Sequence, residues 1–464
     1  MKKYIAEILS FFMVCVILTG FCTVSAPECS AETIAEDITD SAEIDYDGKN
    51  IKISSDKMFY GIYIEWTKFP GSWKLFDGNG ETLFGRKGFL HEFSEIKGGT
   101  KYAEIRREKE ISVKKIYVFT EGELPAWVQV WDVPCEKADL MLCTTHADDE
   151  QLFFLGVLPY YAGELGLNVQ VVYFVNHNDT DSRPHELLNG LWTVGVRNYP
   201  VIGDAPDAWS ESLSEGLANF KDSGFSEEKL IGYQVEMLRR FKPQIVVGHD
   251  VNGEYSHGQH IVNTHTLRKA LEICNNPDEY VESADKYGVW DVPKTYLHLY
   301  EENQINIDWD IPLEKFGGKT AYEVSLEGFK CHESQHWTWF AKWIGLKSDW
   351  GVKKAADIKD YSPCKYGLYR TTVGADVKKK DFLENIIPYS DQVTEIPDYT
   401  ETPTEPEDKV PQENNSNPVS TSEPKYNKPE KDNSAVLTVA LCVGVLIAAV
   451  MMIVIIVVRN RRAE

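Results

Sequence analysis

The chain has 464 residues, 72 of them acidic and 48 basic, for a formal net charge of -24. A surface that acidic repels phosphate backbones and argues against nucleic acid as a partner, while the length accommodates two or three domains. Nine cysteines do not make a disulfide or zinc-knuckle framework: Cys15, Cys22 and Cys442 lie in terminal apolar runs, and the other six show no CxxC rhythm. Cys331 with Cys364 is a candidate bridge, and Cys143 reads as a small core residue.

Lys2 and Lys3, an apolar run from Ile8 to Phe21 and the small residues Val24-Ser25-Ala26 have the order of a secretory signal peptide, with cleavage near Ala26 or Ala31. From about Asp45 to Pro134 short alternating runs (Ile51 to Ile53, Phe59 to Ile64, Ile116 to Phe119, Val128 to Trp131) are punctuated by turns. Asp77-Gly78-Asn79-Gly80 is a hairpin signal. This region is expected to be a small β-sandwich. Its tryptophans Trp66, Trp73, Trp127 and Trp131 suit either core packing or sugar stacking.

From Ala138 to about residue 390 strands and helices alternate. Ala138–Thr145, Asn168–Val175, Gln244–Gly248 and Pro293–Tyr300 are short apolar runs of buried-strand type. Asp149–Leu165, Arg183–Gly195, Ser226–Phe241, Gln259–Ile273 and Lys319–His332 carry helical spacing, with Pro159 expected to kink the first. The fold class is therefore α/β, a Rossmann-like parallel sheet covered on both faces, with ligands expected beyond the carboxyl ends of its strands. Residues 394–434 are rich in Pro, Glu, Asn, Ser and Thr and read as a stalk. Ala435–Val458 carries no charge and reaches roughly 36 Å as a helix. Arg459, Arg461 and Arg462 follow it, so a single transmembrane helix with residues 459–464 in the cytoplasm is expected, a GPI signal being the competing reading.

Two strand ends concentrate the chemistry. The first runs into Thr145-His146-Ala147-Asp148-Asp149-Glu150, the other into His249-Asp250 and then Gly253-Glu254-Tyr255-Ser256-His257-Gly258-Gln259-His260. Imidazole with carboxylate suits Zn2+, whose catalytic sites keep three protein ligands and one open position. His146, Asp149 and His260 are the candidate ligands. Asp148 beside them is the candidate general base, and His257 the candidate oxyanion partner, as an imidazolium. Each residue also has a plainer reading: a lone histidine is commonly structural, and Asp148 to Glu150 would serve a helix N-terminus equally well. His249 suits either support of a ligand or a strand-end hydrogen bond. His332 and His336 read as structural.

These two segments resemble the hallmarks of the PIG-L (LmbE-like) family of zinc-dependent N-deacetylases: AHPDDE, here THADDE, and a glycine-rich loop ending in HxxH. The resemblance spans roughly Ala138 to Asn385 and implies the roles just given to His146, Asp149, His260, Asp148 and His257. Arg183-Pro184-His185-Glu186-Leu187 resembles the family's RxxEL helix and implies Arg183 as a substrate-binding residue. Asp204 stands where the family often carries an aspartate near the sugar, and residues 330–335, KCHESQ, resemble a late helix end. The departures are Ala147 for proline and Gly258-Gln259 for the commoner Pro-Asp. Neither removes a ligand, but Gln259 removes an acid beside the histidines. The expected activity is removal of acetyl from an N-acetylglucosamine-type sugar on a surface glycan or glycolipid, at the outer face of a cell membrane. The alternatives are an amidase for another N-acyl substrate and a non-catalytic glycan-binding protein.

Overall fold

The computed structural model describes residues 33–392 apart from 79, 85–87, 111, 178 and 179. The expected signal peptide, stalk, span and tail lie outside the described residues. Among the described residues no helix is long and apolar enough to cross a membrane.

The alternating runs of the first region form β1 (Glu43–Tyr46), β2 (Asn50–Trp66), β3 (Trp73–Phe76), β4 (Glu81–Phe84), β5 (His91–Arg106) and β6 (Val113–Phe119). They make one continuous antiparallel sheet in the order β1-β2-β5-β3-β4, with β6 on β2, where two sheets of a sandwich were expected. The two long strands do this. Residues 50–54 of β2 pair with β1 and with the end of β5, whereas residues 61–65 pair with β6 and with the start of β5. Register shifts between Ser54 and Gly61 mark the bend. Ile51, Ile53, Phe59, Ile62, Ile64, Trp66 and Trp73 fill its core, so these tryptophans pack rather than face solvent. Trp131 is also buried, and Trp127 is half exposed. Val128–Trp131 is a loop, not the strand expected from its alternation.

The second sheet contains β7 (Leu140–Thr144), β8 (Val169–Asn176), β9 (Val201–Pro206), β10 (Ile245–Gly248), β11 (Lys294–His298), β12 (Gln304–Asn306) and β13 (Lys365–Thr371), in the order β12-β13-β11-β10-β7-β8-β9. The stretch from β11 to β9 is parallel, and β13 and β12 close the edge antiparallel. From β7 the chain moves outward to β8 and β9, then returns to β10 on β7's other side. This reversal opens a crevice beyond the carboxyl ends of β7 and β10.

The helices are α1 (Asp149–Leu152), α2 (Arg183–Thr193), α3 (Leu213–Asp222), α4 (Glu227–Phe241), α5 (Gly258–Ile273), α6 (Val281–Tyr287), α7 (Ala321–Lys330) and α8 (Phe340–Trp343). α4 starts where the Ser226 side chain accepts from the Lys229 N–H, with Glu227 and Glu228 in its first turn and Arg239 and Arg240 in its last. The long helix expected over Asp149–Leu165 is broken. Gly156 adopts φ 86°, where a Cβ would come within 2.3 Å of the Trp309 ring. From Pro159 to Glu164 the backbone is a π-helix. Cys331 and Cys364 are both free thiols, so the candidate bridge does not form.

The two sheets belong to one unit, and the junction is polar as well as apolar. The Leu90 N–H donates to the Tyr199 hydroxyl at 2.9 Å, and Phe89 stacks on the Tyr199 ring. Buried His91 bridges Gln129 (2.8 Å) and His185 of α2 (2.7 Å), while Gln129 donates to Asn189 of α2 at 2.7 Å.

A buried ion pair fixes the last described segment. Lys294 Nζ lies 2.6 Å from Asp376 and also donates to the carbonyls of Phe382 and Glu384, with both charged side chains essentially inaccessible. The Tyr296 hydroxyl donates to the other Asp376 oxygen. Lys294→Met leaves that carboxylate buried without its cation, a change expected to cost about 3–5 kcal/mol. The check is the urea midpoint, which should fall; an unchanged midpoint rules the pair out as a major contributor.

Candidate active site

The crevice between β7 and β10 collects the residues that carry chemistry. His146 to Asp149 follow β7, and His249 to His260 follow β10 up to the first turn of α5. The His146 Nδ1 lies 3.1 Å from the His260 Nε2, and the Asp149 Oδ2 lies 3.2 Å from each. Thus the three expected ligands meet. Asp149 is set by the His146 backbone N–H, which donates to its Oδ2 at 2.7 Å.

The donor set fits a divalent cation. His260 directs its Nδ1 at the Glu254 carboxylate (2.7 Å), and His146 directs its Nε2 at the Gln259 Oε1 (2.9 Å). In each ring the remaining nitrogen is the one facing Asp149. Two imidazole nitrogens and a carboxylate oxygen so placed need positive charge among them. Their separations match the roughly 3.3 Å edge of a tetrahedron around zinc with bonds near 2.0 Å. The pocket favours such charge: burial disfavours it on His146, yet Asp207 and Asp149 hold that imidazole's pKa well above the usual range.

Glu254 organises the cluster. Fully buried, it accepts from the Nδ1 of His260, His249 (2.8 Å) and His298 (2.6 Å). Burial alone would raise its pKa, but His249 and the three imidazole hydrogen bonds hold it well below the usual range. His249 Nε2 accepts the Thr145 N–H at 3.1 Å. His249 is close enough to Asp149 and His260 to be counted with them as a ligand group, but both of its nitrogens are engaged, and it supports rather than ligates. Gly253 makes the loop possible, with φ 67° and the His257 carbonyl only 2.6 Å from where a Cβ would be.

Asp148 stands beside the ligands at φ 131°, a conformation that non-glycine residues avoid and that recurs at functional sites. Glu150 accepts its N–H at 2.9 Å and is itself paired with buried His332 at 3.0 Å. Burial pushes the Asp148 carboxyl up to about 7, against the pull of Arg183. Arg183 opens α2, donates to the Ala147 carbonyl and lies 3.5 Å from Asp148. His257 caps α5, its Nδ1 accepting the Gln259 N–H at 3.2 Å. Burial and the imidazoles of His146 and His260 depress its pKa to about 2, which together with the accepting Nδ1 favours the neutral ring over the imidazolium expected.

Asp204 is not in the cluster. It is exposed on β9, where its carbonyl accepts from Asn176. Asp207, just past the strand, turns inward instead, 3.5 Å from His146 and 3.3 Å from His177. His177 in turn accepts the Ala147 N–H at 2.9 Å. Sequence reasoning missed Glu254, Asp207 and His177 as site residues. The acid inside the histidine loop was the one available signal.

No family model matches the chain. Curated relatives do: a 1D-myo-inositol 2-acetamido-2-deoxy-alpha-D-glucopyranoside deacetylase of Mycobacterium leprae is 28% identical over 190 residues, 36% of this chain and 61% of the relative. A protein of the same description from Saccharopolyspora erythraea is 40% identical over 188 residues, 34% of this chain and 63% of the relative. The chain thus spans about three fifths of the length of these relatives. Among solved structures, the N,N'-diacetylchitobiose deacetylase of Pyrococcus horikoshii aligns at 16% identity and a TM-score of 0.34, covering 46% of this chain and 78% of that one. THADDE at the end of β7 and the HxxH loop before α5 are the segments that resemble the PIG-L (LmbE-like) deacetylases, and the chain is similar to proteins described as acetamido-deoxy-glucopyranoside deacetylases.

Proposed function

We propose that the chain is a zinc-dependent hydrolase that removes the acetyl group from an N-acetylglucosamine-type sugar. The observation that carries this is the convergence of His146, Asp149 and His260 to 3.1–3.2 Å with Asp148 next to them. His146, Asp149 and His260 would hold the zinc, which supplies Lewis acidity toward the acetamide carbonyl and toward water. Asp148 takes the proton of the attacking water, its affinity for that proton raised by burial. The His257 Nε2–H donates to the carbonyl oxygen as negative charge develops there. Arg183 positions Asp148 and faces the sugar. The proton held by Asp148 then goes to the leaving amine, yielding acetate and a free amino sugar.

The curated relatives are described as acting on an acetamido-deoxy-glucopyranoside, which supports the sugar class. The apolar segment Ala435–Val458 and the arginines after it support tethering to a membrane with the catalytic region outside. The natural substrate in this reading is a surface glycan or glycolipid.

Acetate release from N-acetylglucosamine oligomers, measured beside zinc content, tests the reading. Asp148→Asn should lower turnover roughly 10²–10⁴-fold with one zinc still bound; full turnover in that variant would remove Asp148 as the base. Glu254→Gln should weaken zinc binding about 10–100-fold, read by competition with a chromophoric chelator, and an unchanged affinity would contradict its organising role. Stripping the metal with a chelator should abolish acetate release, and zinc should restore it. Because the base must be ionised, kcat/KM should fall as pH drops through the Asp148 pKa. Arg183→Met removes a neighbouring positive charge and should move that acid limb upward by roughly one unit; a stationary limb would place Arg183 away from the base.

A further inference from the structure

Among the described residues five tryptophans are exposed: Trp127, Trp209, Trp337, Trp339 and Trp350. Three of them form a chain of rings that begins at the active site. Trp209 lies 4.7 Å from the His257 ring and nearly parallel to Tyr255 at 6.2 Å. Tyr255, itself 5.4 Å from His257, meets Trp339 at 6.0 Å. Trp339 lies nearly parallel to Trp350 at 6.2 Å. Trp337, 80% exposed, is two residues from Trp339. Exposed tryptophan is expensive to keep in water, and a contiguous patch of it marks a binding surface.

The composition of the patch names its occupant. The exposed members of this ring chain are all tryptophans, and along the sequence from Val289 to Val373 the exposed large hydrophobics between those two valines are Trp337, Trp339 and Trp350. A surface for a protein partner or an acyl chain would mix in aliphatic residues. Flat rings alone match the C–H faces of pyranoses. The Lys342–Asp349 pair beside them (2.8 Å, both half exposed) offers donors and acceptors for hydroxyls. The chain's net charge of -24 also works against an anionic lipid surface.

We infer that the Trp209–Tyr255–Trp339–Trp350 shelf binds the further sugar units of an oligosaccharide whose acetamide lies at His146, Asp149 and His260. This rests on the deacetylase reading and deepens it: the substrate is a chain of sugars, not a single sugar conjugate. Trp350 lies three ring-to-ring steps from His257, by way of Tyr255 and Trp339.

The test compares N-acetylglucosamine with its hexamer on the zinc-loaded full chain, using Trp350→Ala and Trp350→Phe. Trp350→Ala should raise KM for the hexamer roughly tenfold with kcat unchanged, lower hexamer kcat/KM relative to monomer, and be rescued by Trp350→Phe. An equal fall for monomer and hexamer, or no change in either, overturns the shelf. Calorimetric titration of the hexamer into Asp148→Asn reads binding without turnover. Hexamer binding that Trp350→Ala weakens supports the shelf even if no sugar is deacetylated, in which case the deacetylase reading alone fails. Unaltered hexamer binding, with loss of binding to phosphatidylglycerol vesicles in Trp350→Ala, overturns the shelf in favour of a membrane contact.

Discussion

A single buried carboxylate sets the chemistry of this protein. Glu254 has no solvent, and its two oxygens accept from the Nδ1 atoms of three histidines at three places in the chain and from the Asp250 backbone N–H. That fixes the tautomer of His260 and turns its Nε2 toward Asp149. It also locks His249 against the end of β7 and ties His298 of β11 to the same point. A carboxylate in this setting is tolerable only because each oxygen is hydrogen-bonded. The loop from His249 to His260 is therefore held by its centre, and the glycine at 253 is the conformational condition for that.

The same arrangement accounts for the departure at Gln259. An amide cannot take a proton's charge, but its Oε1 still accepts from the His146 Nε2 while its Nε2 donates to the Pro206 carbonyl. The negative charge in this corner comes instead from Asp207, which also faces His177 and Arg183. Orientation and charge are split between two residues.

Much of the α/β region was legible because its central strands are buried on both faces. Leu140–Thr144, Val169–Asn176 and Ile245–Gly248 follow from largely apolar runs, and Lys294–His298, though it carries Lys294 and His298, from its place in the short run Pro293–Tyr300. The edge strand β12 and its neighbour β13 lack that continuity and were not read, nor was β9 at the other edge. The helix after β7 failed for a local reason: Gly156 and Pro159 override its spacing where Trp309 packs against the backbone. In the site, His146, Asp148, Asp149 and His260 were legible since strand ends of opposite sequence halves carried complementary ligand types. Asp207 was missed in favour of Asp204 because alternation along β9 turns Asp204 to solvent, and only the chain's exit from the strand aims Asp207 inward. The setting of His257 was not in the sequence at all: the ring is buried and its Nδ1 accepts the Gln259 backbone N–H.

The junction between the sheets bears on what the first sheet is for. α2 begins with Arg183, and it meets the first sheet through buried His185 against His91 and the loop after that sheet through Asn189 against Gln129. The helix that carries a guanidinium to the base is thus braced from behind by a module with no residue in the cluster. Cut away, that module would leave the His185 imidazole and the Tyr199 ring facing water, and Arg183 would lose the backing that fixes its reach. The antiparallel sheet is a splint, and the half that holds the histidine cluster is built to lean on it.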